Sequence, residues 1–302
     1  MSKKKLIVVV GPTASGKSGL AVKLAKKFNG EVISADSRQV YRGLNIGTGK
    51  ITEREMRGIP HHLLDVADPK KQITVAEYKK CAEMAIKNIS SRGKIPVVVG
   101  GTGFWIDSLI YDINLPEVPP DPKLRKILEK KPAPELLKIL KKLDPSRAKT
   151  IEQKNPRRLI RAIEIAKALG KVPRLIRKSP YQALWIGLSH SYEVRLRKIK
   201  IRVGKMIQAG LVAETKKLLE TGVSKRKIRE FGFEYRAVLE YLGGEISKKG
   251  LYEKIVLDSL DYARRQMVWF IRNKEINWTD NPLKIEKLVK KFLTGVKNHG
   301  KK

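Results

Sequence analysis

Eight residues, Gly11-Pro12-Thr13-Ala14-Ser15-Gly16-Lys17-Ser18, constrain this chain more than any other stretch. They follow an apolar run at 6–10 and open a helix-patterned run at 16–28. The octet fits G-x-x-x-x-G-K-[ST], whose glycines let backbone N–H groups turn inward around phosphate oxygens. Strand, phosphate loop and helix in that order commit the first strand to the interior of an α/β sheet. The helix start adds partial positive charge where a phosphate would sit. Lys17 is placed to reach the outer phosphate, and the Ser18 hydroxyl to ligate Mg²⁺. The alternative is a chance glycine turn, which the flanking strand and helix argue against. Alone, the loop predicts a phosphate-bearing ligand and leaves the reaction open.

Residues 1–112 alternate between strand and helix patterns. Strands are expected over 6–10, 31–35, 62–64 and 95–99, and helices over 16–28, 74–91 and 102–111. Such alternation implies an α/β fold, a P-loop NTPase-like parallel sheet flanked by helices. Ligands of these sheets sit beyond the C-terminal strand ends. Three clusters lie there: the octet, Asp36-Ser37-Arg38-Gln39, and Gly100-Gly101-Thr102-Gly103. The alternation breaks at Leu115-Pro116-Glu117-Val118-Pro119-Pro120-Asp121-Pro122, which cannot be helix. From 121 to 180 the pattern is helical, with 19 Lys and Arg against 6 Asp and Glu, the most positive part of the chain per residue. It reads as an all-helical insertion, residues 115–180, into a catalytic core made of 1–114 and 181–302. Within the second half of that core, 183–188 is expected to rejoin the sheet as a strand. Helices are expected over about 192–209, 212–221, 233–242, 247–272 and 282–297, with a short last strand at 276–278.

The whole chain carries 65 Lys and Arg against 30 Asp and Glu, a net charge of +35. Ion-pair networks need comparable acid, so pairing cannot absorb the excess, and the residual field attracts polyanions. A solvated lysine surface with no partner is the plain alternative. No stretch approaches the roughly 18 apolar residues of a membrane span, and no strongly apolar amphipathic segment is present, so nucleic acid is favoured over membrane. Cys81 is the only cysteine, which excludes an intrachain disulfide and a cysteine-rich zinc site. The basic start Met1-Ser2-Lys3-Lys4-Lys5 leads into only a short apolar run, a core strand and not a secretory signal, so a cytoplasmic location is expected.

Several side chains suit chemistry. Asp36 closes the second strand, where a carboxylate can serve as metal ligand, general base or turn cap. Gln39 and Tyr41 offer an amide and a ring for the edge and face of a base. Thr102 presents a hydroxyl to the same crevice, or caps a helix. His61-His62 has no further ligands at usable spacing and reads as structural. Asp65, ending an apolar run, resembles a weak Walker-B position. Arg157, Arg158 and Arg161 fall largely on one helical side, suited to RNA phosphates or simply to solvent. In Arg264-Arg265-Gln266-Met267-Val268-Trp269-Phe270 the bulky residues read as core.

With these residues in place, the chain resembles the tRNA dimethylallyltransferases (tRNA isopentenyltransferases) over about 5–297. The matching stretches are the octet, Asp36-Ser37-Arg38-Gln39-Val40-Tyr41-Arg42-Gly43, Ile46-Gly47-Thr48-Gly49-Lys50, Pro60-His61-His62-Leu63-Leu64-Asp65 and Gly100-Gly101-Thr102. Asp144-Pro145, Asn155-Pro156-Arg157-Arg158-Leu159-Ile160-Arg161-Ala162-Ile163-Glu164 and Arg265-Gln266 with Trp269 follow in order. The resemblance implies transfer of a dimethylallyl group from dimethylallyl pyrophosphate to N6 of the adenosine just 3′ of a tRNA anticodon. The alternatives are an adenylate isopentenyltransferase acting on free nucleotide and a P-loop small-molecule kinase.

By the same resemblance, Asp36 would be the general base and Thr102 would stand near the reacting centre. Residues 11–18 and Arg236 would hold pyrophosphate, with Mg²⁺ at Ser18. Asp36, Ser37, Arg38, Gln39, Thr102, Arg125, Arg157, Arg158, Leu159, Ile160 and Arg161 would meet the tRNA, and the insertion would grip its anticodon stem-loop. The family's Gly-Tyr-Arg/Lys is altered here: Tyr235-Arg236 keeps the spacing to Tyr241, but Gly232 lies two residues early. Ser259-Leu260 replaces the Thr-Arg often found before Arg265-Gln266. The zinc finger of eukaryotic relatives is absent, so the resemblance is to the bacterial type, expected to work as a monomer with neither DNA nor membrane as partner.

Overall fold

The structure, a computed structural model, describes residues 3–113, 115–174 and 178–295. It divides into two compact units, Met1–Asp112 with Ser179–Lys302, and Ile113–Lys178.

The first unit begins with β1 (Lys4–Val10), α1 (Lys17–Lys27), β2 (Gly30–Ser34), α2 (Glu53–Met56), β3 (His61–His62), α3 (Val75–Ser91), β4 (Ile95–Gly100) and α4 (Gly103–Ile110). The second unit holds α5 (Pro122–Leu128), α6 (Ala133–Leu143), α7 (Pro145–Thr150) and α8 (Pro156–Leu169). The first unit resumes with β5 (Tyr181–Gly187), α9 (Tyr192–Gln208), α10 (Leu211–Glu220), α11 (Lys225–Phe231), α12 (Phe233–Leu242), α13 (Lys248–Phe270), β6 (Asn277–Trp278) and α14 (Pro282–Thr294).

The six strands form one parallel sheet in the order β3-β2-β4-β1-β5-β6. β1 lies inside because its apolar run is continuous. Leu6, Val8 and Val10 face one core layer and Ile7 and Val9 the other, all fully buried. Alternation along the strand makes both faces apolar, which only a strand covered on both sides tolerates. Because β4 separates β2 from β1, and every pairing is parallel, β1, β2, β4 and β5 all end at one edge. The octet, residues 35–39, residues 101–103 and residues 188–190 therefore leave the sheet together.

The strand expected over 62–64 is shorter and earlier, His61–His62, paired only with β2 at the sheet edge. Two short helices escaped the periodicity. α2 is started by a Thr52–Glu55 capping box and α11 by Ser224, and each is too short to show a periodic face. The helix expected over 282–297 is α14; residues 296 and 297 lie outside the described residues.

In the second unit, α5, α7 and α8 each begin with proline behind a capping side chain, namely Asp121, Asp144 and Asn155. Proline fits the first helical position because its missing N–H would have no partner there. Leu128, Leu136, Leu140, Leu159 and Ile163 form a core of this unit's own. Among the described residues no helix is long and apolar enough to cross a membrane.

Candidate active site

The octet wraps the end of β1 and delivers Lys17 into the first turn of α1. Gly11, Pro12 and Ser15 form its buried side, while Thr13, Ala14, Gly16, Lys17 and Ser18 line open space. α1 has no side-chain cap and no acidic residue in its first turn, so its N–H groups stay available to an anion. Lys17 Nζ donates to the Pro12 carbonyl at 3.2 Å. By surface Lys17 is half-buried, yet its pKa is lowered to about 8, by desolvation first and Arg202 second, with Asp36 opposing them. Burial also pulls the Arg202 pKa down. Two cations disfavoured by their own surroundings, beside a phosphate loop, describe a site that gains from an anion.

Lys17, Ser18, Gly49 and Arg202 stand between two openings. On one side Asp36, Gln39, Glu234, Tyr262 and Gln266 line a small pocket of about 60 Å³. On the other is a cavity of about 580 Å³, bordered by Lys23, Arg57, Lys198 and Lys205, with Glu55 its acidic residue. Arg38 also lines the small pocket, where Asp36 and Glu234 offset it, whereas the larger cavity is predominantly cationic.

Asp36 sits just past β2. Its Oδ1 accepts the backbone N–H groups of Arg38 (3.0 Å) and Gln39 (3.4 Å), so the turn is made by one carboxylate oxygen. Among the described residues, Oδ2 has no hydrogen-bond partner. Thr102 does not cap α4 through its side chain. Its Oγ1 accepts the Ser37 N–H at 3.1 Å and lies 3.4 Å from Ser37 Oγ, bracing the Asp36 loop from behind.

Arg38 lies over the rings of Phe233 and Tyr262, with Nη1 2.8 Å from Glu234 Oε2. Burial raises the Glu234 carboxyl above its usual range, with Arg38 pulling the other way. Gln39 is already committed: Nε2 donates to the Thr48 and Gly49 carbonyls (3.3 and 3.2 Å), and Oε1 lies 3.4 Å from Ser34 Oγ. It braces the loop rather than presenting free donors to a base. Gln266 staples the site together, accepting the Thr13 N–H at 2.8 Å and donating to the Gly101 carbonyl at 2.9 Å. A Cβ at Gly101 would fall 2.2 Å from Gln266 Nε2, so the turn after β4 needs glycine for this approach.

Other expected residues are placed elsewhere. Arg236 is exposed on α12 and does not line the pocket; Arg202, from α9, holds the position beside Lys17. Nothing in the sequence singled out Arg202 among its basic neighbours in α9. Glu234 and Tyr262 were equally silent, because buried polar residues on amphipathic helices look like ordinary alternation. Asp65 is no Walker-B residue: it follows the edge strand and pairs with Lys50 at 2.6 Å. His62 hydrogen-bonds the buried Glu31 carboxylate at 2.8 Å, and His61 the Ile59 carbonyl at 2.8 Å. Arg92, with Lys94 and His62, holds the Glu31 carboxyl far below the usual carboxylate range.

In the second unit Leu159 and Ile160 are 0% and 6% exposed, packed in its core, and this corrects the expectation that they meet RNA. Helical periodicity puts them on the face opposite Arg157 and Arg158, both exposed. Arg158 pairs with exposed Glu152 at 3.0 Å, a weak surface contact. Arg125 is bidentate to buried Glu164 at 2.7 and 2.8 Å. Arg161 donates to the Val118 carbonyl at 2.8 Å and lies 3.4 Å from Glu164. Those two arginines hold the unit's own fold.

A protein-family model described as IPP transferase matches residues 39–274. The chain is 40% identical over 283 residues to the tRNA dimethylallyltransferase of Anoxybacillus flavithermus, covering 92% of this chain and 90% of that protein. The tRNA dimethylallyltransferase of Carboxydothermus hydrogenoformans is 39% identical over 308 residues, covering 98% and 99%. Among solved structures, the tRNA isopentenylpyrophosphate transferase of Bacillus halodurans superposes with a TM-score of 0.73 at 37% identity, covering 97% of this chain and 96% of that one. A eukaryotic dimethylallyltransferase acting on tRNA gives 0.82 at 26% identity, covering 99% and 81%.

Proposed function

The chain belongs to the IPP transferase family, and from that premise we propose that it moves a dimethylallyl group from dimethylallyl pyrophosphate to N6 of the adenosine immediately 3′ of the anticodon in tRNA. The observation that carries the reading is a half-buried cation pair, Lys17 and Arg202, at a phosphate loop that shares one pocket with the Asp36 carboxylate. An anion-holding end and a proton-accepting end within one pocket suit displacement of pyrophosphate by an amine.

The bond from the allylic carbon to N6 forms as the bond from that carbon to the pyrophosphate oxygen breaks. The N6 proton passes to Asp36 Oδ2, and pyrophosphate leaves with the electron pair. Charge grows on the leaving oxygens, where Lys17, Arg202 and the N–H groups of the octet stabilise it. An exocyclic amine is a weak nucleophile, so holding it beside Asp36 contributes through orientation. The two openings differ in charge: the predominantly basic cavity admits pyrophosphate, and the small pocket, where Asp36 and Glu234 offset Arg38, receives the adenine, turned out of the anticodon loop.

Mg²⁺ fits this donor set. The Ser18 hydroxyl makes no hydrogen bond within the described protein, and no group of three or more His, Cys, Asp or Glu side chains is placed to hold a metal there. Mg²⁺ commonly takes few protein ligands and completes its shell with phosphate oxygens and water. When bound, it would neutralise charge on the pyrophosphate, with Ser18 as its protein ligand.

Transfer of label from dimethylallyl pyrophosphate to tRNA, and not to AMP, tests the reading; label on AMP alone would overturn it. The helical unit supplies the grip on the anticodon stem-loop, through Arg157 and Arg158. Replacing both by glutamine is expected to weaken tRNA binding and to lower the salt slope of log K by roughly one per arginine, with folding unchanged. Titrations at several salt concentrations check this, and an unchanged slope would move the RNA surface elsewhere.

A further inference from the structure

One carboxylate outside the pocket makes an unusual set of bonds. Glu214, in the first turn of α10, accepts three consecutive backbone N–H groups: Asn45 at 2.8 Å, Ile46 at 2.7 Å and Gly47 at 2.9 Å. The Tyr235 hydroxyl donates to the same carboxylate at 2.8 Å. Successive N–H groups turned toward one point form an anion-binding nest, and here the anion is the chain's own side chain.

The next two residues carry this constraint into the site. The Thr48 carbonyl accepts from Gln39 Nε2 at 3.3 Å and from Arg202 Nη2 at 3.3 Å, and the Gly49 carbonyl accepts from Gln39 at 3.2 Å. Gly49 has φ +57°, and a Cβ there would fall 2.1 Å from Arg202 Nη2. The guanidinium is therefore laid directly on the loop backbone. A long arginine side chain has many rotamers, and this shelf selects one.

We propose that Glu214 is a positioning residue for the transfer reaction, fixing the N–H groups of residues 45–47 so that the Thr48 and Gly49 carbonyls hold Arg202 and Gln39 in the pocket. It rests on reading this pocket as the prenyl-transfer site, but its core, an anion grip built through the loop, is measurable without any transfer. Small misplacements of such groups carry large rate penalties.

The test is calorimetric binding of inorganic pyrophosphate to the full-length protein, with hydrogen exchange at the amides of 45–47. Glu214→Gln keeps the side-chain size but sets an NH₂ against the N–H donors. It is expected to speed exchange at these amides, to weaken pyrophosphate roughly tenfold and to lower kcat while the tRNA Kd holds. Combined with Arg202→Ala it should bind pyrophosphate no more weakly than Arg202→Ala alone, since Glu214 acts through Arg202. Additive losses, or faster exchange with unchanged pyrophosphate affinity, would overturn the proposal. Tyr235→Phe removes one bond to Glu214 and spares the three N–H bonds. It should shift affinity the same way by less, and it carries the comparison if Glu214→Gln does not fold. A wild-type protein that binds pyrophosphate but transfers nothing to tRNA would instead count against the prenyl-transfer reading.

Discussion

Replacing Asp36 by asparagine is expected to lower kcat by roughly 10²- to 10⁴-fold while leaving tRNA and pyrophosphate binding within a few-fold of wild type. The geometry makes this substitution unusually clean. The oxygen that accepts the Arg38 and Gln39 N–H groups has a counterpart in asparagine, so the turn after β2 persists. Only the second oxygen changes, from a proton acceptor to an amide NH₂. Single-turnover transfer with saturating tRNA reads the chemical step directly. A near-normal single-turnover rate with lost tRNA binding would make Asp36 a binding group instead of a base.

Arg202→Ala is the second large effect. It removes the half-buried guanidinium beside Lys17 that we place against the leaving group, and the expected loss in kcat/KM for dimethylallyl pyrophosphate is roughly 10²- to 10³-fold. Arg236→Ala, on the exposed face of α12, should change kcat/KM by no more than a few-fold. The reverse ranking would restore Arg236 as the pyrophosphate arginine.

The same variant has a pH signature. Burial first, and Arg202 second, lower the Lys17 pKa to about 8 in the free site. Bound pyrophosphate favours the charged ammonium, so the pKa in the complex is higher. The Lys17 contribution to affinity should therefore be constant below about pH 8 and fall above it, by up to tenfold per pH unit, with proton uptake on binding, while the ionisation of pyrophosphate itself is common to both proteins and cancels in their comparison. Without Arg202 the Lys17 pKa rises, and the fall begins at higher pH. Titrations with inorganic pyrophosphate between about pH 7 and about pH 10 read both curves; superimposable shapes would separate Arg202 from Lys17.

Much of this site is local in sequence. The octet and Asp36 are legible because each follows a strand whose apolar run marks where it ends, and in a parallel sheet every such end lies at one edge. Asp121-Pro122, Asp144-Pro145 and Asn155-Pro156 are equally local, each a capping side chain followed by a proline that opens a helix. Short-range chemistry decides such features, so they survive translation into one dimension.

Arg202, Glu234, Gln266 and Glu214 are different in kind. Each owes its role to a partner far along the chain: Arg202 to Thr48, Glu234 to Arg38, Gln266 to Thr13 and Gly101, and Glu214 to residues 45–47. Leu159 and Ile160 make the converse point. They sit within an arginine-rich motif, yet face inward, because an α-helix turns its surface by about 100° with every residue. The sequence by itself determined a strand–loop–helix of phosphate-cradling pattern, an acidic residue at the end of the next strand along the chain, and an excess of positive charge suited to RNA. Tertiary packing alone decided which distant side chain among the 65 Lys and Arg, Arg202, joins Lys17 at the phosphate loop. Desolvation and hydrogen bonds between distant segments set that choice, and neither leaves a periodic trace in the order of residues.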